Sequence, residues 1–294
     1  MSTETVDPRY SEIDQWPTPR AVSVMLDGQR EAVEALASQV DAIAAAAEAA
    51  AARLGTQGRL AYAGAGTSGR IGVQDGVELT PTFGWPEERL AFFLAGGPDA
   101  LMRAIEGAED DAEDGGAQVI AAGLGHGDVL VGIAASGRTP FTVGAIEEAR
   151  QRGVLTIGIA SNSGTPLLTA AEHAILIDTG SEAVAGSTRM KAGTAQKAAL
   201  NLLSTAIMLR QGLVHHGLMV NMRITNAKLH RRACAMVAKI AGVDEARAEA
   251  ALDAAGQDIR PAVLIALGLS PEAARQRLAG YHGPFETVLQ SLRD

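Results

Sequence analysis

Short runs of apolar residues recur along the first part of the chain, and several of them end in clusters of Gly, Ser and Thr. Such runs, bounded by turn residues, are typical of strands that are buried on both faces of a parallel sheet. Helical spacing of apolar positions fills the intervals between them. The pattern predicts an α/β fold with a doubly wound parallel sheet flanked by helices. The predicted strands are 59–63, 90–94, 128–133, 155–159 and 174–177.

Helical patterns account for most of the remaining chain. We predict helices over 32–54, 140–150, 190–211 and 218–240, the second of which begins at Pro140, a favoured first helical position. Residues 1–18 contain three X–Pro steps, which disfavour helix, and are predicted as an extended arm. After residue 243, three short helical patterns are separated at Gly256 and at 268–271. We therefore predict two domains: 1–241, with the sheet, the arm and its helices, and 242–294, a small three-helix C-terminal subdomain.

Composition and charge exclude several classes of function. The net charge is −9 and aromatic residues make up only 3% of the chain, so neither a basic face nor a base-stacking platform for nucleic acid is expected. The single cysteine, Cys234, cannot form a disulfide within the chain and favours a reducing compartment. We recognise neither a leader peptide nor an apolar run long enough for a membrane span. These features predict a cytoplasmic protein without nucleic-acid or membrane partners.

The loops after the predicted strands are the first candidate binding elements. Gly64, Gly66 and Gly69 match the spacing of a dinucleotide fingerprint, but the next predicted strand is followed by Ala-Gly-Gly at 95–97 instead of the acid that would hold a ribose. A phosphate monoester fits better, because it needs many donors in a small space. The alternative is that the Ser and Thr residues of these loops are ordinary turn and helix-capping residues. The candidate ligands of such a phosphate monoester are Gly66, Thr67, Ser68, Ser136, Gly137, Thr139 and Ser187.

Charged residues near these loops are candidates for binding and catalysis. Glu78 is an isolated acid after the first loop, and Glu109 belongs to an acidic run that is equally consistent with a solvated helix face. Four cations lie in or after the loops and could pair with an anion or simply lie at the surface: Arg70, Arg138, Arg189 and Lys191. No two histidines stand at a metal-binding helical spacing, and the chain has one cysteine, so we predict no metal site.

Four segments together resemble the N-acetylmuramic acid 6-phosphate etherases of the sugar-isomerase (SIS) fold. They are YAGAGTSGR at 62–70, IEGAED at 105–110, VGIAASGRTP at 131–140 and GSTRMKAGTAQK at 186–197. The resemblance covers nearly the whole chain, and its last two segments are specific to this group and to the related glucokinase regulatory proteins. It implies a SIS-type phosphosugar-binding domain over 1–241.

The resemblance also implies a reaction and its residues. The sugar opens to its aldehyde, a base removes the C2 proton, and the C3 ether leaves as D-lactate with a proton from a general acid. Water then adds, which gives N-acetylglucosamine 6-phosphate in the recycling of cell-wall amino sugars. The family's two glutamates fall on Glu78, as the proton donor to lactate, and on Glu109, as the second acid/base group. The resemblance implies that no metal or organic cofactor is required, and that the protein is a homodimer with a site that a neighbouring subunit could complete.

One segment departs from the family pattern. Members usually read DASECPPT around the proton donor, whereas this chain reads DGVELTPT at 75–82. Glu78 is kept, but Val77, Leu79 and Thr80 replace Ser, Cys and Pro, and Ala227 stands where members often have Glu. Two other functions use the same loops: a non-catalytic phosphosugar regulator resembling glucokinase regulatory protein, and an aldose–ketose isomerase. The reaction product distinguishes the three functions: the etherase releases lactate, the isomerase forms a ketose phosphate, and the regulator forms neither.

Overall fold

The described residues contain a five-stranded, wholly parallel sheet, which confirms the predicted fold class. The computed structural model describes residues 2–279, 281 and 283–292. The strands are β1 (Leu60–Gly64), β2 (Leu90–Leu94), β3 (Val129–Ile133), β4 (Leu155–Ala160) and β5 (His173–Leu176), and their order across the sheet is β2-β1-β3-β4-β5. Each lies within one residue of its predicted position. β1, β3 and β4 are buried throughout, as their uninterrupted apolar runs predict.

The chain divides into two compact units, a sheet unit and a helical unit. The sheet unit comprises Met1–Gly76 and Glu88–Ser204, and the helical unit comprises Val77–Glu87 and Thr205–Asp294. The helices before and between the strands are α1 (Thr18–Glu34), α2 (Val40–Leu54), α3 (Gly66–Phe83), α4 (Ala112–Ala121), α5 (Pro140–Gln151) and α6 (Pro166–Ala170), and α7 (Lys191–Arg210) follows the last strand. One sheet face packs on α4 and α5 through an apolar cluster that includes Val119, Phe141 and Ile146.

Glycines let α3 lie close to the other face of the sheet. A Cβ on Gly72 would stand 2.9 Å from Ile133 Cδ1, and one on Gly76 would stand 2.5 Å from Phe92 Cε1. Any larger residue at these positions would push the helix away from the strands. The start of α3 also lies close to the end of β1, because a Cβ on Gly69 would stand 2.6 Å from Gly64 O.

The helical unit has its own apolar core, to which Val237, Leu252 and Val263 contribute. Its helices are α8 (Ala227–Ala241), α9 (Glu245–Ala254), α10 (Ile259–Ala266), α11 (Pro271–Leu278) and α12 (Phe285–Gln290). Asp244 and Ser270 cap α9 and α11 with their side chains, as their positions predict. His216 Nε2 lies 3.2 Å from Glu286 Oε2, which ties the turn at 215–218 to α12.

Three predicted boundaries are wrong. The helix predicted over 218–240 begins only at Ala227, because His216 and Gly217 adopt positive φ in a tight turn and Asn226 caps the helix through its side chain. The helix predicted over 32–54 is interrupted by a 3-10 turn, Ala35–Gln39. The arm is not extended but contains 3-10 turns, and α1 begins at Thr18. In the described part of the chain, none of the helices is both long and apolar enough to traverse a membrane.

Candidate functional site

A pocket of about 370 Å³ opens at the carboxyl ends of β1 and β3 in the sheet unit. The two strands are neighbours in the sheet. The helix that follows β1, α3, packs on one face of the sheet, and the helix that follows β3, α5, packs on the other face. Such a switch point leaves a crevice between the two loops, and ligands of open α/β sheets bind there. The pocket is lined by Glu4, Ala65, Gly66, Thr67, Ser68, Glu109, Asp110, Ala135, Ser136, Arg138, Thr139, Pro140 and Thr188.

The first loop delivers the amino end of α3 to the pocket. Gly66 has a φ of +52°, which favours glycine, and is the first residue of the helix. The first backbone N–H groups of a helix have no partner within it, so this end of α3 is suited to an anion. Thr67 and Ser68 line the pocket beside these amides. The Ser68 hydroxyl donates a hydrogen bond to Gln196 Oε1 at 3.0 Å, which fixes its oxygen with lone pairs still available.

The second loop joins β3 to α5 and supplies the opposite wall. Ser136 Oγ accepts a hydrogen bond from the backbone N–H of Arg138 at 3.1 Å. Thr139 stands at the N-cap of α5 but makes no side-chain capping bond, so its hydroxyl is not consumed by the helix. Gly137 lies behind the loop against Thr165 rather than in the lining. One further helical amide end, that of α5, and the hydroxyls of Ser136 and Thr139 thus line the same pocket as Thr67.

The third Gly/Ser loop, which follows β4, supports the site from behind. Its Asn162 Nδ2 donates to Ala135 O at 3.0 Å. The fourth segment contributes Thr188 to the lining, whereas the half-buried Ser187 next to it is not among the lining residues. The amino end of α7 beyond it is already capped, because the buried Glu182 accepts hydrogen bonds from the N–H groups of Lys191 and Ala192 at 2.9 and 3.0 Å.

The two predicted acids have different positions. Glu109 lines the pocket from the 3-10 turn Ala108–Asp110, which follows Gly107 at a φ of +73°. Glu78 is exposed on the last part of α3, within the helical unit, and the pocket lining does not include it. The structure therefore brings together Glu109 and five of the seven predicted ligand residues, and Glu78 is not among the lining residues.

A second cavity of about 360 Å³ shares part of its wall with the pocket. Ala65, Gly66 and Glu109 line both. Two arginines, Arg70 and Arg103, line the second cavity. The Arg70 guanidinium donates to the carbonyls of Ala100, Leu101 and Arg103 at 2.8–3.2 Å and so holds the loop after β2.

The four candidate cations lie in three different environments. Arg138 lines the pocket, as an anion site requires. Lys191 is buried and pairs with Glu31 at 2.9 Å, and Arg70 holds a loop, so both have structural roles. Arg189 is exposed outside the lining. Sequence analysis did not identify Glu4 and Asp110 as pocket residues, because no local pattern distinguishes an acid that lines a pocket from one at the solvated surface.

Comparisons with known proteins agree with this architecture. A model described as the glucokinase regulatory protein N-terminal SIS domain matches residues 36–150, and the SIS domain model matches residues 111–206. The N-acetylmuramic acid 6-phosphate etherase of Deinococcus radiodurans is 47% identical over 98% of this chain and 94% of its own length. The protein of the same name from Salmonella choleraesuis is 43% identical over 99% of this chain and 98% of its own.

A solved structure is similar in fold. It is a putative phosphosugar isomerase involved in capsule formation from Bacteroides fragilis, with a TM-score of 0.50 and 18% identity. It covers 66% of this chain and 91% of its own. At that identity the likeness concerns the fold alone.

Proposed function

This chain belongs to the family of the N-acetylmuramic acid 6-phosphate etherases and is a carbon–oxygen lyase, and from that premise we propose how its pocket cleaves the lactyl ether. The observation that carries the proposal is the place of Glu109, in the wall shared by the two adjoining cavities. N-acetylmuramic acid 6-phosphate has a phosphate at one end and a lactyl carboxylate on its C3 oxygen. A substrate with two anionic groups matches two neighbouring cavities that each contain arginine.

The phosphate binds in the first cavity. The amino ends of α3 and α5 direct backbone N–H groups toward it, and Thr67, Ser68, Ser136 and Thr139 add hydroxyls. Arg138 supplies a positive charge that the chain as a whole, at −9, does not. The lactyl group then extends into the second cavity, toward Arg103. Gly137 and Ser187 do not line the pocket and contribute indirectly, because they form the turns that position the lining residues beside them.

Glu109 lies beside C2 and C3 in this arrangement. In the open-chain aldehyde the C2 proton is acidic, and the Glu109 carboxylate removes it as the C3–O bond breaks. The leaving lactate oxygen takes its proton from Glu78, and the C2=C3 double bond remains conjugated to the aldehyde. Water then adds to C3 and a proton returns to C2, which gives N-acetylglucosamine 6-phosphate. Carboxyl groups can share these tasks without a metal or an organic cofactor.

Glu78 reaches the substrate through dimerisation in our proposal. It is exposed and lies outside the lining of the described pocket, so a second copy of the chain is the source we favour for the second acid. An apolar stripe on α1 supports association: Val22, Leu26 and Val33 lie on one helical face and are 50–53% exposed. We place this homodimer in the cytoplasm, where the buried free thiol of Cys234 stays reduced.

Lactate release is the first test. Purified protein incubated with N-acetylmuramic acid 6-phosphate should release D-lactate and N-acetylglucosamine 6-phosphate in equal amounts. Phosphosugar binding without lactate would instead favour a regulator, and a ketose phosphate would favour an isomerase. Either result from a folded sample contradicts the lyase.

Mixing two inactive variants tests the shared site. Glu78→Gln and Glu109→Gln should each lower kcat by about a hundredfold to ten-thousandfold, the usual contribution of an acid/base group, while product binding changes little. When the two variants exchange subunits, each mixed dimer regains one site with both glutamates. An equimolar mixture should therefore recover about a quarter of the wild-type activity if the subunits associate at random as a twofold dimer. A mixture as inactive as its components would place both acids in one subunit.

A further inference from the structure

The amino-terminal arm contributes a third carboxylate to the pocket. Glu4 ends the 3-10 turn Ser2–Glu4 and lines the pocket together with the two phosphate-binding loops. Its carboxylate makes no hydrogen bond or ion pair with any other residue that the structure describes. It is exposed, so that no packing requirement explains its presence on the wall. Neither the acid/base chemistry nor the phosphate loops account for this residue.

The arm is fastened to the loops that form the pocket. Thr3 is completely buried, and its hydroxyl accepts a hydrogen bond from Asn162 Nδ2 at 3.0 Å. The same amide group donates to Ala135 O, in the loop that follows β3. The Thr3 carbonyl accepts a hydrogen bond from the N–H of Gly186 at 3.3 Å, two residues before Thr188. The residue before Glu4 is thus hydrogen-bonded both to the loop after β4 and to the segment that carries Thr188, which fixes where Glu4 enters the pocket.

A second anchor lies farther along the arm. Asp7 accepts a hydrogen bond from Ser181 Oγ at 2.8 Å and pairs with Arg9 at the same distance. Glu4 therefore lies between two attached residues: it directly follows Thr3 and lies three residues before Asp7. A segment held on both sides keeps its side chain at one place without the entropy cost of ordering it on binding.

The chemistry of the pocket limits what Glu4 can bind. A carboxylate repels a phosphate or another carboxylate, and it has no donor to offer when ionised. An amino sugar 6-phosphate, however, presents hydroxyl groups and an acetamido N–H, all of which donate. We propose that Glu4 is a substrate-binding residue that accepts hydrogen bonds from these sugar donors and so distinguishes a phosphosugar from phosphate alone. The inference rests on the proposed function for the identity of the sugar but not for the position of Glu4.

The test compares two ligands on the full chain. Calorimetry gives the Kd of N-acetylglucosamine 6-phosphate and of inorganic phosphate for wild type, Glu4→Ala, Glu4→Gln and Glu12→Ala. Glu12 is an exposed acid of the same arm outside the pocket lining and makes no capping bond, so it is the matched control. The quantity of interest is the Kd of the sugar phosphate divided by the Kd of phosphate.

We expect Glu4→Ala to raise this ratio about tenfold, the loss that follows when one hydrogen bond to a charged group is removed. Glu4→Gln should raise it less, since the amide oxygen still accepts, and Glu12→Ala should leave it unchanged. A ratio within threefold of wild type in Glu4→Ala overturns the proposal, whether both ligands bind normally or both weaken because the loops have lost their support. The ratio needs no turnover, so an absence of lactate from wild type refutes the lyase and leaves this test intact.

Discussion

Gly137 illustrates how a single backbone position controls the phosphate loop. Its φ is +66°, and a Cβ there would stand 2.3 Å from Thr165 Oγ1. Gly164, in the loop after the next strand, has a similar φ of +61° but nothing within 4 Å of the same position. The two glycines therefore separate the cost of the left-handed conformation from the cost of a steric clash.

Alanine at these two glycines should have unequal effects. Gly164→Ala should lower the free energy of unfolding by about 1–2 kcal/mol, the cost of a left-handed conformation for an L-residue. Gly137→Ala should cost at least twice as much and should also weaken N-acetylglucosamine 6-phosphate binding, because the loop must move away from Thr165. Urea unfolding and calorimetry measure both effects, and equal losses from the two variants would contradict the role of the clash.

The place of a predicted site residue in the fold follows from the sequence where the signal is local. Gly66, Thr67, Ser68, Ser136 and Thr139 line the pocket, because a loop after a parallel strand has little choice of where to lie. At the fourth segment the lining residue is not Ser187 but its neighbour, since the turn at Gly186, with a φ of +74°, decides which side chain faces inward. Glu4 was not predictable, because its position depends on a contact between Thr3 and a residue 159 positions away.

Among the elements, α7 depends on a capping group far from it in sequence. The buried Glu182 carboxylate spans the N–H groups of Lys191 and Ala192, nine and ten residues later. A negative charge at the amino end of a helix is stabilising, and here it also satisfies two donors that are shielded from water. The cap also fixes the segment that carries Thr188 into the pocket.

Removal of this cap should destabilise the protein. Glu182→Ala leaves two buried N–H groups without an acceptor and should lower the free energy of unfolding by about 2–3 kcal/mol. Glu182→Gln keeps one acceptor and should lose about half as much. Chemical denaturation followed by far-UV circular dichroism measures both. If the alanine variant were as stable as the glutamine variant, the capping role would be disproved.

The elements themselves were predicted unevenly. Strands were located to within a residue, because buried apolar runs flanked by turns have few alternatives. The helix over 218–240 was placed too early, since Leu218 and Met222 stand at helical i, i+4 spacing although Leu218 pairs with His215 in a tight turn and Asn226 caps the helix that follows. The helical nature of 66–83 was not recognised, because its glycines lower helix propensity and only contact with the sheet explains them.

At the scale of the whole sheet unit, one ion pair ties the starts of two central strands. Arg59 precedes β1 and Asp128 precedes β3, and their side chains meet at 2.8 Å. The carboxylate also accepts hydrogen bonds from the backbone N–H groups of Arg59 and Gly125. Burial alone would raise the pKa of Asp128, but these hydrogen bonds outweigh it and lower that pKa. Its charged form is therefore stabilised by folding.

This pKa shift predicts a pH dependence of stability. Because the pKa is lower in the folded state, the contribution is complete above the unfolded value of about 3.9 and is lost as the pH falls toward the folded value. Asp128→Asn should lower the free energy of unfolding by about 2–3 kcal/mol at pH 7, with a deficit that shrinks below about pH 4. The control Asp27→Asn removes an exposed pair with Arg30 and should change stability by less than about 0.5 kcal/mol. A deficit that did not shrink on acidification would contradict this assignment.

The order of strands in the sheet has a consequence for how such a protein can change. The crevice between β1 and β3 arises because consecutive connections leave toward opposite faces, so it is a product of connectivity and not of any particular side chain. Replacing the residues around it can alter which bond is broken while the framework that creates the opening survives. The same scaffold can thereby acquire new chemistry through its loops alone, at little risk to folding.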